Sequence, residues 1–214
     1  MKGLLKNNFY ATLSGAKILA IVMVLSGAFI VAVISQSLLI GYIVLGIISF
    51  SGIAISVVRD EFSSKWGKYK LTLPVKRAQI VKSQFLNQLF WMAVGILFAI
   101  TVTALSWLLH GSPFDIPFDI VTTFALGISM SLFMGAVFFP LFYLNGEEKG
   151  NIFFALSLLC AFLADYAIIS LINYFIESGV RNLLLGILAL LGCSTMAFIL
   201  SYPLTVSIFK HREY

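Results

Sequence analysis

Six long apolar runs, almost free of charge, constrain this chain more than anything else in it. They fall at roughly 18–35, 38–58, 84–109, 119–144, 151–175 and 182–209. About twenty apolar residues cross ~30 Å of hydrocarbon as a helix. Inside hydrocarbon every backbone N–H and C=O needs a partner within the segment, which a helix supplies. The expected fold is therefore an all-α polytopic membrane protein with six transmembrane helices in one transmembrane domain. The chain is 60% hydrophobic and only 11% charged, where a soluble domain is about a quarter charged. Its 214 residues leave no room for a separate soluble catalytic domain.

Charge distribution sets the expected topology. Lys2, Lys6 and Lys17 precede the first run, seven Lys and Arg residues lie between the second and third, Lys149 follows the fourth, and Lys210 and Arg212 close the chain. The opposite side carries only Arg181. Cytoplasmic loops collect Lys and Arg, so both termini are expected in the cytoplasm, as an even number of spans also requires. The net charge of +5 is accounted for by these loops, and no nucleic-acid partner is implied. Residues 1–17 have Leu4, Leu5, Phe9 and Leu13 near helical spacing. They read as an interfacial helix or as a frayed basic leader. A cleaved signal peptide fits poorly, because the first run exceeds a signal core.

The loop at 59–83 is a basic island. Phe62, Trp66, Tyr69 and Leu73 recur at i, i+4, i+7 and i+11, which places them on one face of a helix, with Lys65 and Lys68 between them. Such a helix lies on a membrane surface or presents its aromatic face to a partner. Pro74 ends or restarts it.

Several chemistries have no residues to carry them. The sequence holds no GxxxxGK[ST] phosphate loop, so ATP hydrolysis by that route is not expected of this chain. His110 and His211 are expected at opposite membrane faces, and Cys160 and Cys193 read as small buried hydrophobes. No catalytic, cofactor-binding or metal-ligating set can be named. Glu147 and Glu148 read as a solvated turn. Asp165 is the one acid deep in an expected span, roughly 21 Å along the fifth run at 1.5 Å per residue. An intramembrane carboxylate is costly unless it faces protein or water. It reads either as a structural group, paired with Arg181 for instance, or as a substrate-path or proton site with Tyr166 and Asn173 further out. Gly127, Ser131 and Gly135, and Gly186 through Ser201, form small-residue stripes that suit close helix packing, within a subunit or between subunits. Pro140 and Pro203 are expected to kink their spans.

With these parts assembled, the chain resembles the membrane subunit of a type-2 ABC exporter. The most specific match is Asp60-Glu61, Ser64-Lys65-Trp66, Lys68-Tyr69, Leu71-Thr72-Leu73-Pro74-Val75-Lys76-Arg77 and Ile80-Val81-Lys82. This is similar to the first cytoplasmic loop of compact Gram-positive bacterial permeases, including those of phenol-soluble modulin exporters. The resemblance implies a coupling helix within 62–73, docked on a separate ATP-binding cassette subunit that holds ATP and Mg, with Phe62, Lys65, Trp66, Tyr69 and Leu73 as the contact. It further implies a second membrane subunit, a path between the two lined partly by the second and fifth spans, and a bacterial cell-membrane location. Asp165, Tyr166 and Asn173 would then lie near the outer end of that path. The expected cargo is an amphipathic peptide or a lipid-like molecule. Family members often carry a re-entrant segment between the last two spans, which here would fall within 166–181 or be reduced. Two other functions stay open at this point: a peptide-sensing or immunity protein that does not pump, and a proton-coupled secondary transporter using Asp165.

Overall fold

The computed structural model describes residues 2–33, 35–63, 76–111, 114, 117–145, 149–175 and 180–211. Six helices make up nearly all of them: α1 (Lys2–Val33), α2 (Gln36–Ser63), α3 (Arg77–His110), α4 (Pro117–Asn145), α5 (Gly150–Phe175) and α6 (Val180–His211). Each is long and apolar enough to cross a membrane. The shortest, at 26 residues, measures about 39 Å at 1.5 Å per residue, so every helix outreaches the ~30 Å hydrocarbon layer.

The helices extend well beyond the uncharged runs, for identifiable reasons. Residues 2–17 are helical but not a separate element: α1 runs unbroken to Val33, with Leu4, Asn8, Thr12 and Ala16 buried along one face. The second helix continues past residue 58 because its charges find partners. Arg59 bonds Asp60 and Asn151, and the Glu61 carboxylate accepts from Asn7 Nδ2 at 2.9 Å. The third begins at Arg77 rather than 84, because its polar first turns are buried against other helices. The connection expected at 59–83 therefore shrinks to the stretch between Ser63 and Arg77. At the far side α5 stays helical through Phe175, which removes residues 166–175 from any re-entrant segment. Pro140 and Pro203 both lie inside helices that continue past them.

Two helices form the centre. More than half of the membrane-spanning stretch of α2 and of α4 is buried (61% and 56%), against 17–22% for the other four. α1 and α3 pack on α2; α5 and α6 pack on α4; α2 and α4 join the two halves. Ile47 of α2, fully buried, is clasped from both sides by glycines. A Cβ on Gly95 of α3 would meet the Ile47 Cα at 3.0 Å, and one on Gly127 of α4 would meet the Ile47 Cδ1 at 3.0 Å. These are the backbone approaches that small residues permit in membranes. At the end of the bundle that carries both termini, Phe85, Phe138, Phe139, Phe142, Tyr143 and Phe209 form an aromatic core between α3, α4 and α6. The outward faces carry exposed apolar side chains such as Ile21, Leu108, Leu188 and Ile199, as a lipid-facing surface requires.

Candidate functional site: a groove, its mouth and the buried polar contacts

α2 and α5 both lean on α4 and leave a groove between them. It has a volume of about 1020 Å³ and runs from Ile40 and Gly41 to Ser56 on α2, with Phe154, Leu158 and Phe162 on α5 as the other wall and Met130 of α4 on the floor. The lining is almost wholly apolar. On α2 it repeats at 40/41, 44/45, 48/49, 52/53 and 56, one helical stripe whose next turn is Arg59 and Asp60. On α5 the turn before Phe154 and Ala155 is Asn151. These residues meet at the groove's terminus-side end. Arg59 Nη1 donates to Asn151 Oδ1, and its Nε and Nη2 donate to Asp60 Oδ1 at 2.9 and 2.8 Å. The Arg59 methylenes cover Gly150, where a Cβ would meet Cγ at 2.8 Å.

A second arginine closes the other side. Arg77, the first residue of α3, reaches the last turn of α6, donating to the carbonyl oxygens of Phe209 and Lys210. The stretch 64–75 is thus bracketed by Arg59, tied to the start of α5, and Arg77, tied to the end of α6. Of the expected docking residues, Phe62 belongs to the last turn of α2. Lys65, Trp66, Tyr69 and Leu73 lie outside the described residues.

Asp165 is buried, at 3% exposure, and turned away from the α2–α5 groove towards α4 and α6. Ser129 Oγ donates to Asp165 Oδ1 at 2.6 Å and approaches the Leu190 carbonyl at 3.3 Å. Asp165 Oδ2 has no hydrogen-bond partner among the described residues. Tyr166 is exposed on the outward face of α5. Asn173 lines a smaller cavity of about 180 Å³, with Thr122 of α4 and Leu183, Gly186 and Leu190 of α6. The side chain of Arg181, the alternative partner for Asp165, lies outside the described residues. Asp165 and Asn173, eight residues apart, thus both face α4 and α6, while Tyr166 points outward.

The largest polar feature is one the sequence reading passed over. α3 carries Ser83, Gln84, Asn87 and Gln88, all buried. Asn8 Nδ2 of α1 donates to Ser83 Oγ at 3.1 Å, and Asn87 Nδ2 donates to Thr12 Oγ1 at 3.0 Å. Tyr143 OH donates to Gln84 Oε1 at 2.6 Å. Gln88 Nε2 donates to Ser51 Oγ at 3.1 Å and to the Ser131 carbonyl at 2.8 Å. The signal was the i, i+1, i+4, i+5 repeat of polar residues, which puts all four on one face of a helix. The Gly127–Ser131–Gly135 stripe faces inward to α2 and α3, serving packing within the subunit. Cys193 is exposed on α6 rather than buried, and Cys160 is half-buried. Among the described residues no three His, Cys, Asp or Glu side chains cluster as a metal site would need.

The family model for ABC-2 family transporter proteins matches residues 3–210. The chain belongs to the ABC-2 transporter family. Membership makes it a multi-pass membrane subunit, not itself catalytic, and implies an ATP-binding cassette partner. Comparisons with curated proteins and with solved structures give no significant match.

Proposed function

We propose that this chain is the transmembrane subunit of an ATP-driven ABC exporter in a bacterial cell membrane, moving amphipathic peptides or lipid-like molecules outward. Both termini and the 59–83 connection face the cytoplasm. There a separate ATP-binding subunit, holding ATP and Mg, docks through Phe62, Lys65, Trp66, Tyr69 and Leu73. A second membrane subunit faces the α2–α5 groove, and the two grooves together form the path. The chain resembles the compact class that includes the phenol-soluble modulin exporters. One observation carries the reading beyond family membership: the docking stretch is anchored at both ends to the half of the bundle that holds the groove's far wall. Displacing that stretch pulls on α5 through Arg59 and on α6 through Arg77. Nucleotide-driven closure of the partners then switches the helices between two packings.

Co-purification of the tagged chain from its native membrane, beside a Trp66→Ala/Tyr69→Ala double variant, tests this. An ATP-binding subunit is expected with the parent chain and is expected to be lost with the variant. A parent chain that brings down no ATPase, under conditions that keep other membrane complexes intact, refutes the exporter reading.

A further inference from the structure

The groove's lining and its mouth select among the cargo classes. From residue 40 to residue 56 of α2 is about 24 Å at 1.5 Å per residue. The groove, about 1020 Å³ in volume, is open to the outside along that length. It has room for a hydrocarbon tail along that length. Its walls offer a tail nothing but aliphatic and aromatic surface, apart from Ser49 and Ser56. The polarity lies at one end, where Arg59 and Asn151 bond across the gap and Asp60 holds the other edge of the guanidinium. Arg59 is a third exposed and Asp60 nearly two thirds, so the ion pair opens to the outside. An exposed pair of this kind is worth little and exchanges readily for another anion. The planar guanidinium matches phosphate in two-point contact.

We infer that this groove binds an anionic lipid, its acyl tail lying between α2 and α5 and its phosphate replacing Asp60 on Arg59. Only the claim that this lipid is cargo rests on the exporter reading above; the binding itself does not. Asp60 acts as a competitor for the arginine, which gives the site a variant of opposite sign.

The test is native mass spectrometry of the full chain extracted from vesicles of phosphatidylglycerol and phosphatidylcholine with matched tails. Phosphatidylglycerol is expected to stay bound with at least ten-fold preference. Arg59→Gln should abolish that preference, Arg59→Lys should keep part of it, and Asp60→Asn should strengthen it. Gly52→Leu, whose side chain runs into Phe154, should remove both lipids, since a Cβ there already meets the ring at 3.2 Å. Leu188→Phe, on the outward face of α6, should change nothing. Preference that survives Arg59→Gln, or falls with Asp60→Asn, overturns the inference. So does a photo-crosslinker placed at Ser49 that captures an added Lys-rich helical peptide and no lipid. These readings need no ATPase, so their failure leaves the exporter reading standing. In the assembled complex, ATP should lower bound phosphatidylglycerol several-fold; unchanged binding there refutes the cargo role alone.

Discussion

Arg77 Nη1 lies 2.8 Å from the carbonyl oxygen of Phe209, and the guanidinium sits 5.5 Å from the centre of the Phe209 ring. The start of α3 thereby caps the end of α6. The last carbonyls of a helix have no partner within it and carry partial negative charge, so a cation is well matched there. The contact has a mechanical sense as well. Of the two arginines that flank residues 64–75, Arg59 is bonded to α5 and Arg77 to α6, so a pull on the proposed docking stretch would load both.

Arg77→Ala should lower stability by about 1–2 kcal/mol, the scale of a partly exposed hydrogen bond to a charged donor. Arg77→Lys should recover only part of the loss, because lysine can still donate to the carbonyls but lacks the flat guanidinium that lies over the Phe209 ring. Thermal unfolding in detergent measures both. Equal stability of the alanine variant and the parent would show that the cap contributes nothing.

Gly135 exists for Gln88. A Cβ at that position would overlap the Gln88 amide, which is fixed between Ser51 and the Ser131 carbonyl. Gly135→Ala is expected to cost about 1–3 kcal/mol, as overpacking does. Adding Gln88→Ala makes room for the methyl group, so the double variant should lose less than the two single losses combined. Strict additivity in a double-mutant cycle would show that the two side chains do not share the space.

The six helices were legible in the sequence because apolar length alone decides them. Their ends were not, because each end is set by a partner far along the chain: Asn7 for Glu61, Asn151 for Arg59, Phe209 for Arg77. A charged residue marks the edge of a hydropathy window but not the end of a helix whose charges are paired. The groove was beyond reach for a related reason. α2 is apolar nearly all round, and only packing reveals which stripe stays uncovered. Asp165 was found by its chemistry, while its orientation towards Ser129 depends on how α4 and α5 are turned.

Asp165 and Ser129 form an isolated polar pair in the membrane, and their removal should be asymmetric. Ser129→Ala takes away the donor to Asp165 Oδ1 and leaves the carboxyl group buried without a partner, at a cost of about 1–3 kcal/mol. Replacing both, Ser129→Ala with Asp165→Leu, should recover most of that loss, since no polar atom is left stranded. If the exporter reading holds, Asp165→Asn should retain ATP-driven transport, because the amide oxygen still accepts from Ser129. Loss of transport with assembly intact would instead favour a proton-carrying role for Asp165.

The contact of α1 with α3 offers the sharpest test of whether the first third of α1 belongs to the bundle. Thr12 Oγ1 accepts from Asn87 Nδ2 at 3.0 Å and donates to the Asn8 carbonyl at 2.8 Å, while Asn8 in turn reaches Ser83. Thr12→Val keeps the shape and removes the acceptor, leaving a buried amide donor on Asn87 unpaired, again at about 1–3 kcal/mol. Because Asn7 holds Glu61 in the last turn of α2, loosening this face should also free that turn, where the proposed docking stretch begins. Hydrogen exchange is expected to rise across residues 3–12 and at 59–63 together, with the outer half of α1 unchanged. A rise confined to residues 3–12 would show that α1 rests on α2 and α3 without restraining the last turn of α2.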